Sequence, residues 1–220
     1  MPYCPCCQRE SREFRPFGVK PRPGAKCPGC GSLERHRLLW MFLSSRPHLL
    51  EGTHRLLHIA PEPIMAGLFK SMRGVHYISA DLMADTDVRL DITALPFADG
   101  SLDAVVCNHV LEHVPDDRAA MREFRRVLSP RGWAILQSPM DSRRAVTFED
   151  FTVTDPAERE RVFGQFDHVR IYGRDYFDRL TTAGFHVETV PFAEQLGKDA
   201  AVRNALRREE IVLCHPQKAA

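Results

Sequence analysis

Four cysteines near the start of the 220-residue chain have the spacing of a metal site. Cys4 and Cys7 form one Cys-x2-Cys knuckle, Cys27 and Cys30 a second, with nineteen residues between them. Two-residue gaps let both sulfurs of a pair reach one ion, so the pattern predicts a tetrahedral four-thiolate site for one structural zinc. Four thiolates leave no coordination position open, and the ion is expected to hold the segment together without doing chemistry. Cys6 is an extra thiol that stands as an alternative ligand to Cys4 or Cys7, at the cost of a shorter gap. Cys107 and Cys214 lie in apolar runs and read as ordinary buried cysteines.

The remaining polar residues of interest fall at the ends of short apolar runs: His58 to Pro63, Asp81, Asp91, Asn108 with His109, and Gln137 with Ser138. Asp81 follows the first of these turns by about twenty residues, where a nucleotide-binding sheet places an acid that accepts hydrogen bonds from ribose hydroxyls. A helix cap or turn residue is the plain alternative for it. His109-Val-Leu-Glu112-His113 also fits an inverted zinc-protease signature. That signature needs a helix, whereas His109 ends a strand-like run and Pro115 comes two residues after His113. Further along, residues 143–176 hold Asp167, His168, Arg170, Tyr172, Arg174 and Tyr176, a mix suited to a polar or anionic ligand. His168 is the candidate base there, and a polar lid without chemical role is the alternative.

The elements that must position these residues alternate. Strands are predicted over 55–60, 76–80, 87–90, 102–109 and 133–139, and again over 185–190 and 210–215. Between the fourth and fifth, Pro115-Asp116-Asp117 opens a helix with the apolar stripe Ala120, Phe124, Val127 and Leu128, and Gly132 follows it. Another helix, with Tyr176, Leu180 and Ala183, stops at Gly184. Alternation of this kind implies an α/β fold: a Rossmann-like, mostly parallel sheet of seven strands with helices on both faces and a plausible antiparallel edge strand. In such a sheet the ligand lies across the carboxyl ends of the strands. Ser32 is expected to cap a helix through LERHRLLWMFLSSR, whose Arg35, His36 and Arg37 form either a solvated face or a ligand-facing cluster, with the solvated face preferred.

Apolar residues make up 44% and charged residues 27% of the chain, and no apolar run approaches the roughly 18 residues of a membrane-spanning helix. No signal core follows the N-terminus, so the expectation is a cytoplasmic protein with reduced thiols. The formal net charge of +1 hides an asymmetry: residues 1–50 hold nine Lys/Arg against three Asp/Glu, and the remainder holds 21 against 26. A basic head of this kind can draw RNA electrostatically, although many zinc modules are basic without binding any.

The stretch 87–139 resembles the central block of class I S-adenosylmethionine-dependent methyltransferases of the type 11 kind. The resemblance is carried by Asp91-Ile92, the Leu95-Pro96-Phe97 turn, the strand containing Asp103, Leu111-Glu112-His113, and the passage from Arg126 to Gly132. It implies that Asp81 binds ribose hydroxyls, that Asp91 and Ile92 meet the adenine, and that Asn108 and His109 lie near the methyl group. It also implies a division into a zinc-ribbon head with linking helix at 1–46 and a methyltransferase domain at 51–220 with an insertion at about 143–176.

The first turn departs from the family. His58 stands where an acid is usual, and Ala60 and Glu62 stand where glycines let the backbone approach the cofactor. A Glu62 carboxylate about 4 Å from the cofactor carboxylate would cost roughly 4 kcal/mol at an effective dielectric near 20. Either Glu62 pairs with the cofactor ammonium instead, or the pocket has drifted and the protein is a non-catalytic binding or adaptor module. If the chain is an enzyme, the acceptor is RNA held by the basic head or a small polar metabolite held by residues 143–176. The layout resembles ribosomal RNA guanine methyltransferases but lacks an Asn-Pro-Pro-aromatic run after the fifth strand.

Overall fold

The computed structural model describes residues 1–18, 20–83 and 85–217. In chain order the first elements are β1 (Tyr3–Cys4), β2 (Arg9–Glu10), β3 (Arg15–Phe17), β4 (Arg22–Lys26), α1 (Glu34–Ser44) and α2 (Pro47–Glu51). Next come β5 (Arg55–Ile59), α3 (Pro63–Lys70), β6 (His76–Asp81), β7 (Val88–Arg89), β8 (Leu102–Asn108), α4 (Asp117–Val127) and β9 (Leu128–Gln137). The last are β10 (Phe148–Glu149), α5 (Pro156–Phe163), β11 (Arg170–Ile171), α6 (Tyr176–Thr182), β12 (Phe185–Val190), α7 (Phe192–Gln195), α8 (Lys198–Arg203) and β13 (Ile211–Pro216). They fall into two compact units. The first comprises Met1–Thr53, Pro61–Val75 and Thr189–Ile211; the second comprises His54–Ala60, His76–Glu188 and Val212–Ala220.

In the first unit, two short hairpins, β1–β2 and β3–β4, present the cysteine knuckles. The Sγ atoms of Cys4, Cys7, Cys27 and Cys30 all lie within 4.8 Å of one another, with Cys4 to Cys30 at 3.6 Å and Cys7 to Cys27 at 3.9 Å. A tetrahedral ion with bonds of about 2.3 Å separates its sulfurs by about 3.8 Å, so this donor set fits zinc. Cys6 lies outside the set. Its hydrogen bond with Cys4, together with burial, pushes its thiol pKa up and keeps it protonated.

Two expectations for the linking helix are corrected. Ser32 does not cap α1: its Oγ lies 3.1 Å from Cys4 Sγ, and the chain enters the helix at Leu33, whose N–H donates to His36 Nδ1. Nor do Arg35, His36 and Arg37 form a solvated face, because Arg37 is fully buried and His36 nearly so. The Arg37 guanidinium donates to four carbonyls, those of Ala25, Ser32, Asn204 and Ala205, and lies over the Phe14 ring. A ribbon with little apolar surface leaves loop carbonyls to satisfy, and the planar five-donor fork of one arginine serves them together.

In the second unit the strands order as β12-β13-β9-β8-β5-β6-β7. The pairs β5–β6, β5–β8, β6–β7 and β8–β9 are parallel, and β13 runs antiparallel to β9; this strand is not at the edge as expected, because β12 lies outside it. Leu56, Leu57, His58 and Ile59 of β5 are all buried, which requires cover on both faces of the sheet. On one face Leu57, Ile59, Val105 and Leu136 pack with Ala120, Met121 and Phe124 of α4 and with Tyr176 and Leu180 of α6. Asp116 caps α4 by accepting from the Ala119 N–H at 2.8 Å.

Within residues 143–176, β10 and β11 pair antiparallel, and α5 is closed by Gly164 at φ 89°. A Cβ on Gly173 would lie 2.6 Å from the Val146 carbonyl carbon, so this return of the chain requires glycine. No helix among the described residues is long and apolar enough to cross a membrane.

The head geometry predicts one zinc bound by the four cysteines, read by elemental mass spectrometry as the difference between the wild type and Cys27→Ser. Cys6→Ser is expected to retain it and Cys27→Ser to lose it, along with protection of residues 1–32 from proteolysis. Loss of the ion from Cys6→Ser would put that thiol in the ligand set.

Candidate functional site

Parallel register brings the ends of four strands into one row. Ile59 of β5 lies beside Ala80 of β6 and Cys107 of β8, and Asn108 pairs with Gln137 of β9. Asp81, Ala60 and Asn108 therefore follow one another across the carboxyl edge. The backbone changes direction sharply at two of these ends, since Ala60 has φ 46° and His109 has φ 56°. Left-handed backbone at a non-glycine residue costs about 1–2 kcal/mol, and such strain collects where a ligand must be approached. Ala60 thus takes the glycine conformation expected of its position, held by its N–H to the Ala80 carbonyl at 2.8 Å and paired with His109 N–H to the Gln137 carbonyl at 2.7 Å.

The rim offers acceptors. Asp81 ends β6 and takes the Met83 N–H on Oδ1 at 2.7 Å. Asp91 takes both the N–H and the hydroxyl of Thr93 on Oδ1, which leaves Oδ2 open to a ligand. Ile92 beside it is buried in the core. Asn108 is buried, and its Oδ1 has no hydrogen-bond partner among the described residues, an orphaned acceptor at the end of β8. His58 does not share this rim: it is buried in β5 with Nδ1 3.1 Å from the Tyr77 hydroxyl.

Glu62 belongs to the first unit. It stands at the N-terminus of α3, with its carboxylate 3.3 Å from His36 Nε2 and 3.7 Å from Arg35 Nε. The side chain expected to meet the cofactor ammonium is thus already beside two side chains of α1.

Past Asn108, Leu111–His113 forms one turn of 3-10 helix rather than the longer helix of a zinc-protease signature. Glu112 is buried, and its Oε2 accepts from the Ser138 hydroxyl at 3.0 Å. Burial opposes its charge, but the His109 hydrogen bond and charge outweigh this and hold the carboxyl below its usual range. His109 Nδ1 lies 3.6 Å from Glu112 Oε1, and His113 Nδ1 lies 3.2 Å from Asp167 Oδ2. The His113 and His168 rings meet edge to face at 4.7 Å. Burial lowers the His168 pKa despite the nearby Glu112 charge, so its imidazole is neutral at pH 7.

Residues 143–176 are tied to this turn by a buried arginine. Arg170 donates Nη1 to the carbonyls of Leu111 (2.7 Å) and Val114 (2.5 Å), Nη2 to Pro115 (2.8 Å), and Nε to Glu149 (3.0 Å). Arg179 bonds Asp117 and Glu149, and the Tyr172 hydroxyl donates to Asp117 at 2.7 Å. The Val169 N–H completes the seam at the Glu112 carbonyl.

The structure therefore gathers Ala60, Asp81 and Asn108 along one edge, and gathers His109 with His168 around Glu112. Sequence reasoning treated Glu112 and His113 as family landmarks and as part of a zinc-protease signature that it set aside, and did not place them with His168. The signal was the repeated His and acid pairing, Glu112-His113 against Asp167-His168.

Residues 44–136 match a family profile described as a methyltransferase domain. A protein of transposon Tn4556 of Streptomyces fradiae is 33% identical over 110 residues, half of this chain and 32% of that one. An uncharacterized methyltransferase of Mycobacterium sp. strain KMS is 40% identical over 70 residues, 32% of this chain and 28% of that one. The matched part thus spans about a third of the length of these curated relatives. Among solved structures, the [4+2]-cyclase SpnF superposes with TM-score 0.57 at 17% identity over 89% of this chain and 87% of that one. A SAM-dependent methyltransferase from Archaeoglobus fulgidus superposes with TM-score 0.54 at 16% identity, covering 82% and 93%. A cyclase and a methyltransferase share this fold, so the fold alone does not fix the reaction.

Two substitutions test the geometry. Arg170→Ala leaves three carbonyls and Glu149 without their cation and is expected to cost about 3–5 kcal/mol in urea denaturation, with Arg170→Lys recovering only a minor part. Ala60→Gly removes the left-handed strain and is expected to raise stability by about 0.5–1 kcal/mol; a loss would mean that the turn is not held at positive φ.

Proposed function

We propose that this chain transfers the methyl group of S-adenosylmethionine to a small polar acceptor; the methyltransferase-domain match over residues 44–136 and the seven-stranded sheet support the reading. The observation that carries the reading is the acceptor-lined rim at the strand ends, above all the orphaned Asn108 Oδ1. S-adenosylmethionine presents hydroxyl, amine and ammonium donors, and acceptor atoms are what such an edge requires.

Asp81 accepts from the ribose hydroxyls, Asp91 Oδ2 from the adenine amino group, and Ile92 supports the base. Asn108 and His109 stand on the side of the transferred group. When bound, the cofactor supplies an electrophilic sulfonium methyl, and the chain's principal task is to hold the acceptor in line with it. His168 takes the proton where the acceptor carries one. The zinc in the head is structural. Reduced thiolates in that site suit the cytoplasm.

A small acceptor is favoured over RNA because the head spends much of its positive charge internally. Arg22 pairs with Glu34, Arg35 lies beside Glu62, and Arg37 is buried on carbonyls.

Titration calorimetry with S-adenosylmethionine is expected to show binding by the wild type and a loss of about 10–100-fold in Asp81→Ala, the range for hydrogen bonds to a charged group. Loss on Glu62→Ala would assign that residue to the cofactor ammonium. Absence of binding by the wild type would favour a non-catalytic adaptor. Labelled methyl groups are expected in the low-molecular-weight fraction of a cell extract; label that is released by ribonuclease would make RNA the acceptor instead.

A further inference from the structure

Glu112, His113 and His168 each offer one ligand atom, and these three atoms lie within 4.8 Å of one another. They come from two parts of the second unit, the 3-10 turn after β8 and the end of the loop before β11, which Arg170 locks together. This convergence is separate from the four cysteines.

The three side chains are also oriented from behind. Ser138 donates to Glu112 Oε2. Asp167 engages His113 Nδ1 and is itself fixed by the Gln165 amide at 2.9 Å, which turns His113 Nε2 away from that carboxylate. The His168 ring is held against the His113 ring, edge to face at 4.7 Å. Carboxylate and hydroxyl partners behind the ligating groups are what orient a metal-binding histidine or glutamate.

We infer that Glu112, His113 and His168 form a second metal site, for zinc or a similar divalent transition ion. Two imidazoles and one carboxylate are a donor set that zinc accepts with bonds of about 2.0–2.2 Å, and they leave a fourth position for water or an acceptor oxygen. Tetrahedral closure needs ligand atoms about 3.3 Å apart, so side-chain shifts of about an ångström complete it. His109 flanks the site without joining the ligand set. The site competes with the use of His168 as a base, since one lone pair cannot serve both. It stands whether or not the chain transfers a methyl group.

The experiment is a Co²⁺ titration of the full-length, zinc-loaded protein. A second equivalent is expected to bind and to give weak visible d–d absorption without sulfur-to-cobalt charge transfer. His113→Asn and His168→Asn are expected to abolish it. Asp167→Asn, at a half-buried position behind His113, is expected to weaken it about 10–100-fold. Failure to bind a second equivalent, binding with a sulfur charge-transfer band, or unchanged binding in both histidine variants would each overturn the site. Calorimetry with S-adenosylmethionine is independent of this titration, so a chain that binds the cofactor but no second ion overturns this inference alone.

Discussion

The Arg170 guanidinium fixes the geometry on which the polar cluster depends. A buried arginine cannot shed its charge, so it must find acceptors for its donors inside the protein. Here the acceptors are the carbonyls of Leu111, Val114 and Pro115, the backbone of the turn that carries Glu112 and His113, with Glu149 closing the remaining side. A turn of irregular backbone leaves carbonyls that no helix or strand satisfies, and burial would make each of them costly. The ion and the turn therefore require each other. The consequence reaches the side chains, because fixing Leu111 to Pro115 against β11 sets where Glu112 and His113 stand relative to His168.

The glycine-poor first turn is reconciled by its backbone. Glycine is used after a first strand because its φ is free to turn positive. Ala60 reaches the same region at φ 46°, with strain offset by strand-end hydrogen bonding. The prolines that follow fit their places: Pro63 is at the start of α3, where a missing N–H costs nothing. Ala60 thus supplies the positive φ that a glycine would, with a side chain added.

Much of the fold was legible because burial on both faces writes continuous apolar runs. The strand at 185–190 has the predicted limits, and that at 210–215 lies one residue off β13. β9 begins at Leu128 instead of Trp133, since Leu128 pairs with Leu102 before the register shift near Gly132. The sequence could not show which polar groups would be buried. Arg35, His36 and Arg37 have the composition of a solvated face, and it is the carbonyls of Ala25, Ser32, Asn204 and Ala205 that explain why Arg37 is inside. Likewise His58 reads as a substitute for an acid, while its partner Tyr77 lies on the next strand. Local patterns encode periodicity; the pairing of a polar group with a distant acceptor leaves no trace in spacing.

Formal charge misleads in the same way. The nine basic residues of the first fifty do not amount to a uniform polyanion surface, because Arg22, Arg35 and Arg37 are engaged inside the first unit. The exposed remainder is concentrated in Arg9, Arg12, Arg15, Lys20 and Lys26, on and around the small hairpins. An acceptor drawn by charge alone would have to be held by these few screened cations. The polar cluster at Glu112, by contrast, offers buried and oriented groups, which discriminate between ligands because a wrong partner leaves them unsatisfied. The oriented polar groups of the second unit and the surface cations of the head are thus different kinds of feature: the first are fixed by burial and hydrogen bonds, the second are screened by solvent.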